Sequence, residues 1–493
     1  MKQSMRWHDH IAINFYWLGI NIASGIITPV LLPFLVAMFA PLELKNTYLA
    51  TIRVIGLAMA MAVQPMAGMF SDRSTHPAGR RRPFIVGGTV FNILFLLIIG
   101  ASPLFLGSTL DGFFGSAFGV TTSYAVLLAG IVLLQVSSNF AHGALQGLIP
   151  DLVPENQRGR ASGVKAVMEL LPAFLIIFVG PLVDGGRIWL TVGIIMAGFL
   201  VAMLVTVLAV KEETLAEKPS EPLQGRIARL IGLTVIFVAV TQAAVWIVRA
   251  GGTQLVAWGV GVGLQVAAVG MAGLVGMAGS IFIGVYAGAR VGIGKESRRQ
   301  TSFIWWVINR LLFLAAVGSI QGFAQYYLAD VLHIANAATM TTMLLAAVAV
   351  FLIITALGGG YLADRIGRKR LVALSGLIAA AGTVLLLFAT SLPLVIVSGC
   401  IIGMGAGTFM ATNWALGTDL VPPQEAGRYL GISNLAGAGA GIVGAGIGGP
   451  MADFFNGLRP GLGYQVIFAL YAALFLLSVA ALSRVKETAG VGK

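Results

Sequence analysis

The sequence predicts an all-α membrane protein with fourteen transmembrane helices, arranged as two related six-helix bundles and two inserted helices. Of its 493 residues, 58% are hydrophobic and only 10% are charged, whereas soluble domains are about 25% charged. Long apolar runs recur along the chain, and a short polar motif occurs twice. A soluble protein could not bury so much apolar surface, so we expect these runs to lie in lipid.

The N-terminal bundle is predicted over residues 1–210. Lys2 and Arg6 precede a first apolar run that is too long for the apolar core of a signal peptide, so it is interpreted as the first span. A spanning helix needs about 20 apolar residues. By this criterion the predicted spans are 11–40, 46–70, 83–106, 121–148, 160–183 and 188–210.

Residues 211–300 are predicted to hold linkers and two inserted spans. The segment that begins with Lys211, KEETLAEKPSEPLQGRIAR, is charged and contains two prolines, which is typical of a linker. Two apolar runs follow at 230–249 and 254–288, and we expect them to pack outside both bundles. A second charged connector, ARVGIGKESRR, ends the region.

The C-terminal bundle is predicted over residues 301–493, with spans at 303–328, 336–362, 371–390, 393–417, 428–453 and 462–483. If the N-terminus is cytoplasmic, most of the 31 lysines and arginines fall in connectors on the cytoplasmic side, as the positive-inside rule requires. Both termini are therefore predicted to be cytoplasmic, in a multi-pass protein of the plasma membrane. The net charge of +12 then reflects topology and not nucleic-acid binding.

An internal repeat relates the two bundles. The motif GMFSDRSTHPAGRRRPF at 68–84 recurs in shorter form as GYLADRIGRKRL at 360–371. DLVPENQRGRASGV at 151–164 likewise matches DLVPPQEAGRYLGI at 419–432, and each copy continues to a Pro and an Asp, at Pro181/Asp184 and Pro450/Asp453. Parallel repeats of this kind occur in transporters whose halves rock around a central site.

The repeated polar motif is predicted to be a gate. Its aspartate can accept charge-assisted hydrogen bonds from arginine, and its first glycine lets another helix approach closely. Such a cluster can hold the cytoplasmic helix ends together in one state and release them in another. The alternative is a positive-inside anchor alone, which would not require the glycine or the aspartate. The predicted gating residues are Gly68, Asp72, Arg73, Gly79, Arg80, Arg81, Gly360, Asp364, Arg365, Gly367 and Arg368.

These motifs resemble those of the major facilitator superfamily, in which a G-x-x-x-D-R-x-G-R-R/K loop follows the second helix. The stretch QPMAGMFSDRSTHPAGRRRPFI and the upstream TPVLLPFL resemble, more narrowly, the sucrose-type glycoside–proton symporters. That branch normally has twelve spans and an acidic residue in the fourth span. Here the fourth span has Gln135, Asn139 and His142 and no carboxylate. The resemblance implies the major facilitator fold, with the first and fourth spans of each half facing the transport pathway.

Polar side chains within the spans are the candidate substrate-binding residues, because such groups are costly in a bilayer. Their amides and aromatic faces suit sugar hydroxyls and rings, and polar contacts between helices are the alternative. Gln135, Asn139 and His142 share one helix face by their spacing. The candidates are Asn21, Gln135, Asn139, His142, Arg310, Gln321, Gln325, Asn413 and Trp414.

Glu169 is the predicted proton-coupling residue, since it is the one acidic residue deep within a predicted span. Burial disfavours the charged form of a carboxylate, which would let Glu169 exchange protons near neutral pH. Two structural alternatives are an ion pair with Lys165, one turn earlier on the helix, and an ion pair with Arg310.

The predicted function is secondary-active transport of a small polar organic solute, such as a sugar, by alternating access in symport with protons. Proton-driven export of drugs or amphipathic metabolites is the runner-up. An intramembrane enzyme and a sensor or scaffold are less favoured, because the chain has no recognisable catalytic triad, P-loop or metal-ligand spacing. We expect a monomer in the lipid bilayer, with no cofactor, metal or nucleic-acid partner.

Overall fold

The computed structural model describes residues 5–212, 223–292, 294, 300–421 and 426–486, apart from the side chains of residues 292, 364 and 426–436. Most of the predicted linker after Lys211 lies outside the described residues. In the described part, helices are the only regular secondary structure. Thirteen of these helical segments are long and apolar enough to cross a membrane, and they coincide with thirteen of the fourteen predicted spans. The remaining span, predicted at 428–453, falls in a helix that lies partly outside the described side chains.

The helices of the first sequence half are α1 (Trp7–Ile26), α2 (Leu32–Phe39), α3 (Lys45–Ser71), α4 (Arg82–Ala101), α5 (Thr109–Phe118), α6 (Thr122–Leu145), α7 (Leu148–Leu152), α8 (Arg158–Leu170), α9 (Pro172–Leu175), α10 (Gly180–Asp184) and α11 (Ile188–Ala209). The inserted helices are α12 (Gln224–Ala257) and α13 (Val262–Gly292). The helices of the second half are α14 (Thr301–Asp330), α15 (Ala337–Ile366), α16 (Arg368–Leu387), α17 (Leu392–Asp419), α18 (Ala426–Leu458) and α19 (Leu462–Ala481).

Two predicted spans are less regular than their hydropathy suggested. The first changes to a π-helical turn at Ile27–Leu31, next to Pro29 and Pro33. The fifth is divided into α8, α9, a 3₁₀ turn and α10, and prolines stand near the starts of α9 and α10. A proline removes one backbone donor and obstructs the preceding turn, so an apolar run with prolines need not form one straight helix.

The chain forms two compact units. Unit 1 comprises Met1–Pro41, Met59–Ala228 and Ala338–Thr342, and unit 2 comprises Leu42–Ala58, Arg229–Ala337 and Met343–Lys493. The long helices α3 and α15 therefore contribute to both units. Glycines allow close helix contacts inside each unit. In unit 1, a Cβ at Gly143 would clash with the Gln64 carbonyl. A Cβ at Gly407 would clash with the Leu352 carbonyl in unit 2. Such packing is the main source of helix association in lipid.

The inserted pair, α12 and α13, belongs to unit 2 and packs on α18. Phe237 of α12 is 2% exposed. Its ring fills the space over Gly284 of α13 and Gly439 of α18, where a Cβ would collide with it. One aromatic side chain thus joins both inserted helices to the second bundle.

We predict that Phe237→Ala lowers the free energy of unfolding by about 3 kcal/mol, because the cavity would be lined by glycines that cannot fill it. Thermal unfolding of the full chain in detergent is the measurement. Ile231→Ala, at an exposed position of the same helix, is the matched control and should shift the midpoint little. An equal shift in both variants would contradict this role of Phe237.

Candidate functional site

An aspartate of α18 caps the start of α3 in unit 2. The Asp453 carboxylate accepts hydrogen bonds from the backbone N–H groups of Asn46, at 3.2 Å, and Thr47, at 2.6 Å. It also accepts a bond from the Asn46 side-chain amide at 2.8 Å, and it is only 8% exposed. The first N–H groups of a helix have no partner within the helix, and they attract negative charge. Asp453 supplies both an acceptor and that charge.

An equivalent cap closes the start of α15 in unit 1. The Asp184 carboxylate accepts hydrogen bonds from the N–H groups of Ala338, at 3.0 Å, and Thr339, at 2.7 Å, and from the Thr339 hydroxyl at 2.5 Å. As in the first cap, the donors are the second and third residues of the capped helix. We call these two contacts the outer caps, because the predicted topology places both on the outer side.

The outer caps follow from a repeated Gly-Pro-x-x-Asp sequence. Gly180 precedes Asp184 by four residues, and Gly449 precedes Asp453 by four residues. A Cβ at Gly180 would lie 2.6 Å from the Thr339 Cα, and one at Gly449 would lie 2.5 Å from the Asn46 carbonyl oxygen. Each glycine therefore lets its helix approach the capped helix closely enough for the aspartate to reach the exposed N–H groups.

The predicted gating motif of the first half is centred on Arg81, which is 4% exposed. Its guanidinium contacts Asp72 at 2.5 Å and Asp151 at 2.9 Å and donates to the Ser71 hydroxyl at 2.5 Å. Its backbone N–H donates to Glu212 at 2.6 Å. The hub thus joins the ends of α3 and α4 to α7 and to the segment after α11, all within unit 1.

Other motif residues support this hub. Arg80 contacts Asp72 at 3.2 Å and Asp151 at 3.3 Å. Gly79 has a φ of +116°, which favours glycine. A Cβ at Gly68 would lie 3.5 Å from the Gly143 carbonyl oxygen, so α3 and α6 are close at this point. In the described part of the chain, no carboxylate contacts Arg73.

The second copy of the motif forms a simpler contact in unit 2. Arg368 pairs with Asp419 at 2.6 Å, the equivalent of Arg80 with Asp151. The Arg365 guanidinium lies 4.6 Å from the Tyr361 ring centroid. Gly367 has a φ of +90°, and open space surrounds the Cβ position of Gly360. The side chain of Asp364 lies outside the described residues.

Within unit 1, a polar cluster surrounds Trp17 of α1. The His142 ring meets the Trp17 ring edge-on, with centroids 4.8 Å apart. The Lys165 ammonium lies 4.0 Å from the same indole and 3.3 Å from the Glu169 carboxylate. The Glu169 side chain is 35% exposed and not deeply buried. Lys165 is therefore its ion-pair partner, as one of the structural alternatives predicted.

The remaining candidates of this half lie along the same helices. Asn139 donates to the Gln135 carbonyl oxygen at 2.8 Å and to its side-chain oxygen at 3.1 Å. Asn21 donates to the Trp17 carbonyl oxygen at 2.9 Å. Trp17 itself was not among the predicted residues, although its position one turn before Asn21 on α1 could have indicated it.

Within unit 2, a second cluster brings together three predicted residues. The Arg310 guanidinium lies 5.0 Å from the Trp414 ring centroid and donates to the Asn413 side-chain oxygen at 3.3 Å. Asn413 donates in turn to the Asn309 side-chain oxygen at 2.9 Å.

Gln321 and Gln325 do not join the Arg310 cluster. They lie three and four turns further along α14, where Gln321 is exposed and Gln325 is buried. Nearby, Asp330 pairs with Lys45 at 2.5 Å and accepts a hydrogen bond from the Tyr464 hydroxyl. The described residues include no group of three or more His, Cys, Asp or Glu side chains that could hold a metal ion.

Family models cover most of the chain. Residues 16–295 match the model described as MFS/sugar transport protein, and residues 306–492 match the model described as Major Facilitator Superfamily. Sucrose transport protein SUC3 of Arabidopsis thaliana is 30% identical over 126 residues, which is 25% of this chain and 21% of that protein. The minor myo-inositol transporter IolF of Bacillus subtilis is 32% identical over 99 residues, which is 20% of this chain and 23% of that protein. These matches thus span less than a quarter of either relative.

Solved structures match over nearly the whole length. A crystal structure of a D-xylose–proton symporter aligns with a TM-score of 0.61 and 14% identity, and the alignment covers 99% of this chain and 98% of that one. A crystal structure of a POT peptide transporter in complex with sulfate aligns with a TM-score of 0.62 and 14% identity, covering 98% and 96%. At this identity the similarity establishes the fold alone.

We predict that Arg81→Gln destabilises the protein by about 2 kcal/mol, because it leaves partly buried carboxylates without their shared cation. Thermal unfolding in detergent is the measurement. Arg73→Gln is the matched control, because it removes one arginine of the same motif without breaking an ion pair of the described residues. If both variants unfold at the wild-type temperature, Arg81 does not hold this hub together.

Proposed function

This chain belongs to the major facilitator superfamily, and we propose that it is a secondary-active transporter of a sugar or a related polar organic solute. The observation on which this rests is the pair of polar and aromatic clusters at Trp17 and Arg310. Each cluster includes residues of the first and fourth spans of its half, the spans that face the pathway in this superfamily, and the Trp17 cluster also includes Lys165 and Glu169 of the fifth. Each presents an indole beside polar groups, His142 and Lys165 at Trp17 and Arg310 at Trp414, which suits a sugar ring and its hydroxyls. The names of the sucrose and inositol relatives support the same solute class.

Alternating access gives the two kinds of polar contact different roles. The described contacts of the Arg81 hub join helices of one sequence half, so the predicted gate at this motif would have to act within that half and stays a prediction. Each outer cap joins a helix of one half to a helix of the other, so it has to break when the outer side opens. The hydrogen bonds of Asp184 and Asp453 to the helix starts support the proposal that these caps hold the outer helix ends in one state of the cycle.

Proton coupling through Glu169 is the second part of the proposal. Glu169 and Lys165 lie beside Trp17, so protonation of Glu169 would leave the Lys165 ammonium without its anionic partner next to the substrate cluster. Both side chains are about one third exposed, so the proposed effect rests on the change of charge beside the Trp17 indole and not on deep burial. Protonation would therefore change the free energy of this cluster, as coupling requires.

Transport itself is tested with the full chain in proteoliposomes. Radiolabelled neutral sugars and polyols (sucrose, myo-inositol and xylose), acidic sugars (D-glucuronate and D-galacturonate) and a panel of cationic drugs would be assayed for counterflow and for pH-driven accumulation. Counterflow of at least one sugar or polyol is expected. Movement of drugs alone would contradict the proposed solute class, and no movement of any solute in the panel would count against transport.

We predict that Glu169→Gln abolishes accumulation driven by an imposed pH gradient while counterflow continues at a similar rate. The amide cannot bind and release the coupled proton, but it leaves the substrate groups in place. Glu155→Gln is the matched control, because Glu155 is a highly exposed carboxylate near the same helix. Accumulation that persists in Glu169→Gln would show that Glu169 does not carry the proton.

We predict that Asp453→Asn and Asp184→Asn each favour opening of the outer side. A neutral amide loses the charge-assisted bonds to the helix N-terminus, so the closed state should lose about 1.5–3 kcal/mol. The measurement is the labelling rate of a cysteine at Val54, in a chain that also has Cys400→Ala, with a membrane-impermeant thiol reagent. Val54 is 3% exposed, so labelling should accelerate about tenfold or more.

The matched control for the outer caps is Asp111→Asn. Asp111 is also buried and accepts a backbone hydrogen bond, from Ser123 at 2.9 Å, but that contact stays within one sequence half. Its replacement should leave the labelling rate unchanged. Equal labelling in the cap variants and in wild type would contradict the gating role of Asp184 and Asp453.

A further inference from the structure

Arg310 places a positive charge deep in a transmembrane helix without a carboxylate to balance it. It lies nine residues after the start of α14, which is ~14 Å along the helix at 1.5 Å per residue. Among the described residues no Asp or Glu pairs with it, and its contacts are the Asn413 side-chain oxygen and the Trp414 ring. A guanidinium keeps its charge in proteins, so the cluster has a net charge of one positive unit.

The position of this charge is set by a chain of hydrogen bonds. Asn309 donates to the Ser478 carbonyl oxygen at 2.8 Å, and the Asn309 side-chain oxygen accepts from Asn413. The Asn413 oxygen therefore points to Arg310. The Trp306 indole N–H fixes the backbone of Asn413 at 2.9 Å. Each member of the cluster thus has a defined orientation before any solute binds.

The hydrogen-bonding capacity of Arg310 is not used up by these contacts. Its Nε is buried without an acceptor, and a guanidinium has five N–H donors in a planar fork that matches two carboxylate oxygens. Arg53 of unit 2 also has a buried guanidinium nitrogen without an acceptor, its Nη1, so the difference between the two arginines lies in what covers them. Arg53 donates to the Gly318 carbonyl oxygen at 3.0 Å and lies directly against Gly322, so α14 covers it.

The two clusters also differ in charge. In the Trp17 cluster, Lys165 is neutralised by Glu169 at 3.3 Å, whereas the Arg310 cluster has no internal anion. A buried cation without a partner is costly, and a bound anion would remove that cost. The Trp414 face beside the guanidinium offers a flat apolar surface for a sugar or polyol skeleton.

We propose that the solute is a sugar or polyol that bears a carboxylate, and that Arg310 binds this carboxylate. This inference deepens the proposed function and rests on it, because it assigns the Arg310 cluster to the solute. Symport of one proton with such a monoanion would be electroneutral, so its uptake should not respond to membrane potential.

The test compares matched neutral and acidic sugars on the full chain in nanodiscs. Thermal unfolding would be measured with D-glucose against D-glucuronate and with D-galactose against D-galacturonate. At least one acid should raise the unfolding temperature while its neutral partner does not. A shift with a neutral sugar alone, or no shift with either acid, would overturn the proposal.

Three variants test whether the acidic sugar binds at Arg310. Arg310→Gln should weaken binding of the active acid about 10- to 100-fold, as expected for loss of a charged hydrogen-bond partner. Asn413→Asp supplies an internal anion to Arg310 without removing it, so it should weaken binding of the acid even if Arg310→Gln fails to fold. Arg459→Gln removes an exposed arginine of unit 2, and it should bind the acid like wild type.

The outcomes separate this inference from the proposed function. Acid binding that is unchanged in Arg310→Gln or in Asn413→Asp would overturn the inference. Uptake of a neutral sugar that survives Arg310→Gln would keep the transport function and reject only the carboxylate. Absence of transport for every solute, despite binding of an acid at Arg310, would instead count against the transport function.

Discussion

The first N–H groups of a transmembrane helix need acceptors, and in this protein two helices obtain them from aspartates elsewhere in the chain. A bilayer offers no water to replace such acceptors, so the requirement is strict wherever a helix starts in an apolar setting. Asp184 meets it for α15 and Asp453 meets it for α3. Asp184 belongs to the first sequence half and caps α15 of the second, whereas Asp453 belongs to the second half and caps α3 of the first. The need of each helix start for acceptors therefore links the two repeats. The same link has to break if the outer side opens.

The ionic contacts of the described residues are of two kinds, those with several partners and those with a single carboxylate. Arg81 is buried among several acceptors, and losing any one of its partners would leave the others in place. Each outer cap instead depends on a single carboxylate, and each is built on a glycine contact that an added Cβ would disrupt. A contact with many partners, such as that of Arg81, suits a region of the protein that stays rigid. A contact that depends on one carboxylate, such as each outer cap, suits a region that opens. The packing of Phe237 extends the rigid part to the inserted helices.

Hydropathy and charge were enough to predict the fold class and thirteen of the spans now seen as helices, because in lipid the length of an apolar run directly sets the length of a span. The repeat pointed to Asp184 and Asp453 as equivalent residues. Their partners could not be predicted, because the caps join segments about 155 and 407 positions apart along the chain and depend on tertiary approach. Trp17 was missed for a related reason: an indole in an apolar run gives no signal of its own, and its role appears only when His142 and Lys165 are placed against it. The breaks around Pro172 and Pro181 show the limit of hydropathy, which does not count backbone donors.

The two sequence repeats have equivalent outer caps, but their polar clusters at Trp17 and Arg310 differ in charge. Duplication would give both halves the same polar groups, and the caps at Asp184 and Asp453 have kept that symmetry in sequence and in geometry. The clusters have not, because Lys165 has an anion one turn away, whereas no carboxylate of the described residues pairs with Arg310. A nearby carboxylate would stabilise either cation, yet of these two only Lys165 has one among the described residues. On the proposed function, a division of roles would account for the asymmetry: the half with the Lys165–Glu169 ion pair would respond to protons, and the Arg310 cluster would bind an anionic group of the solute.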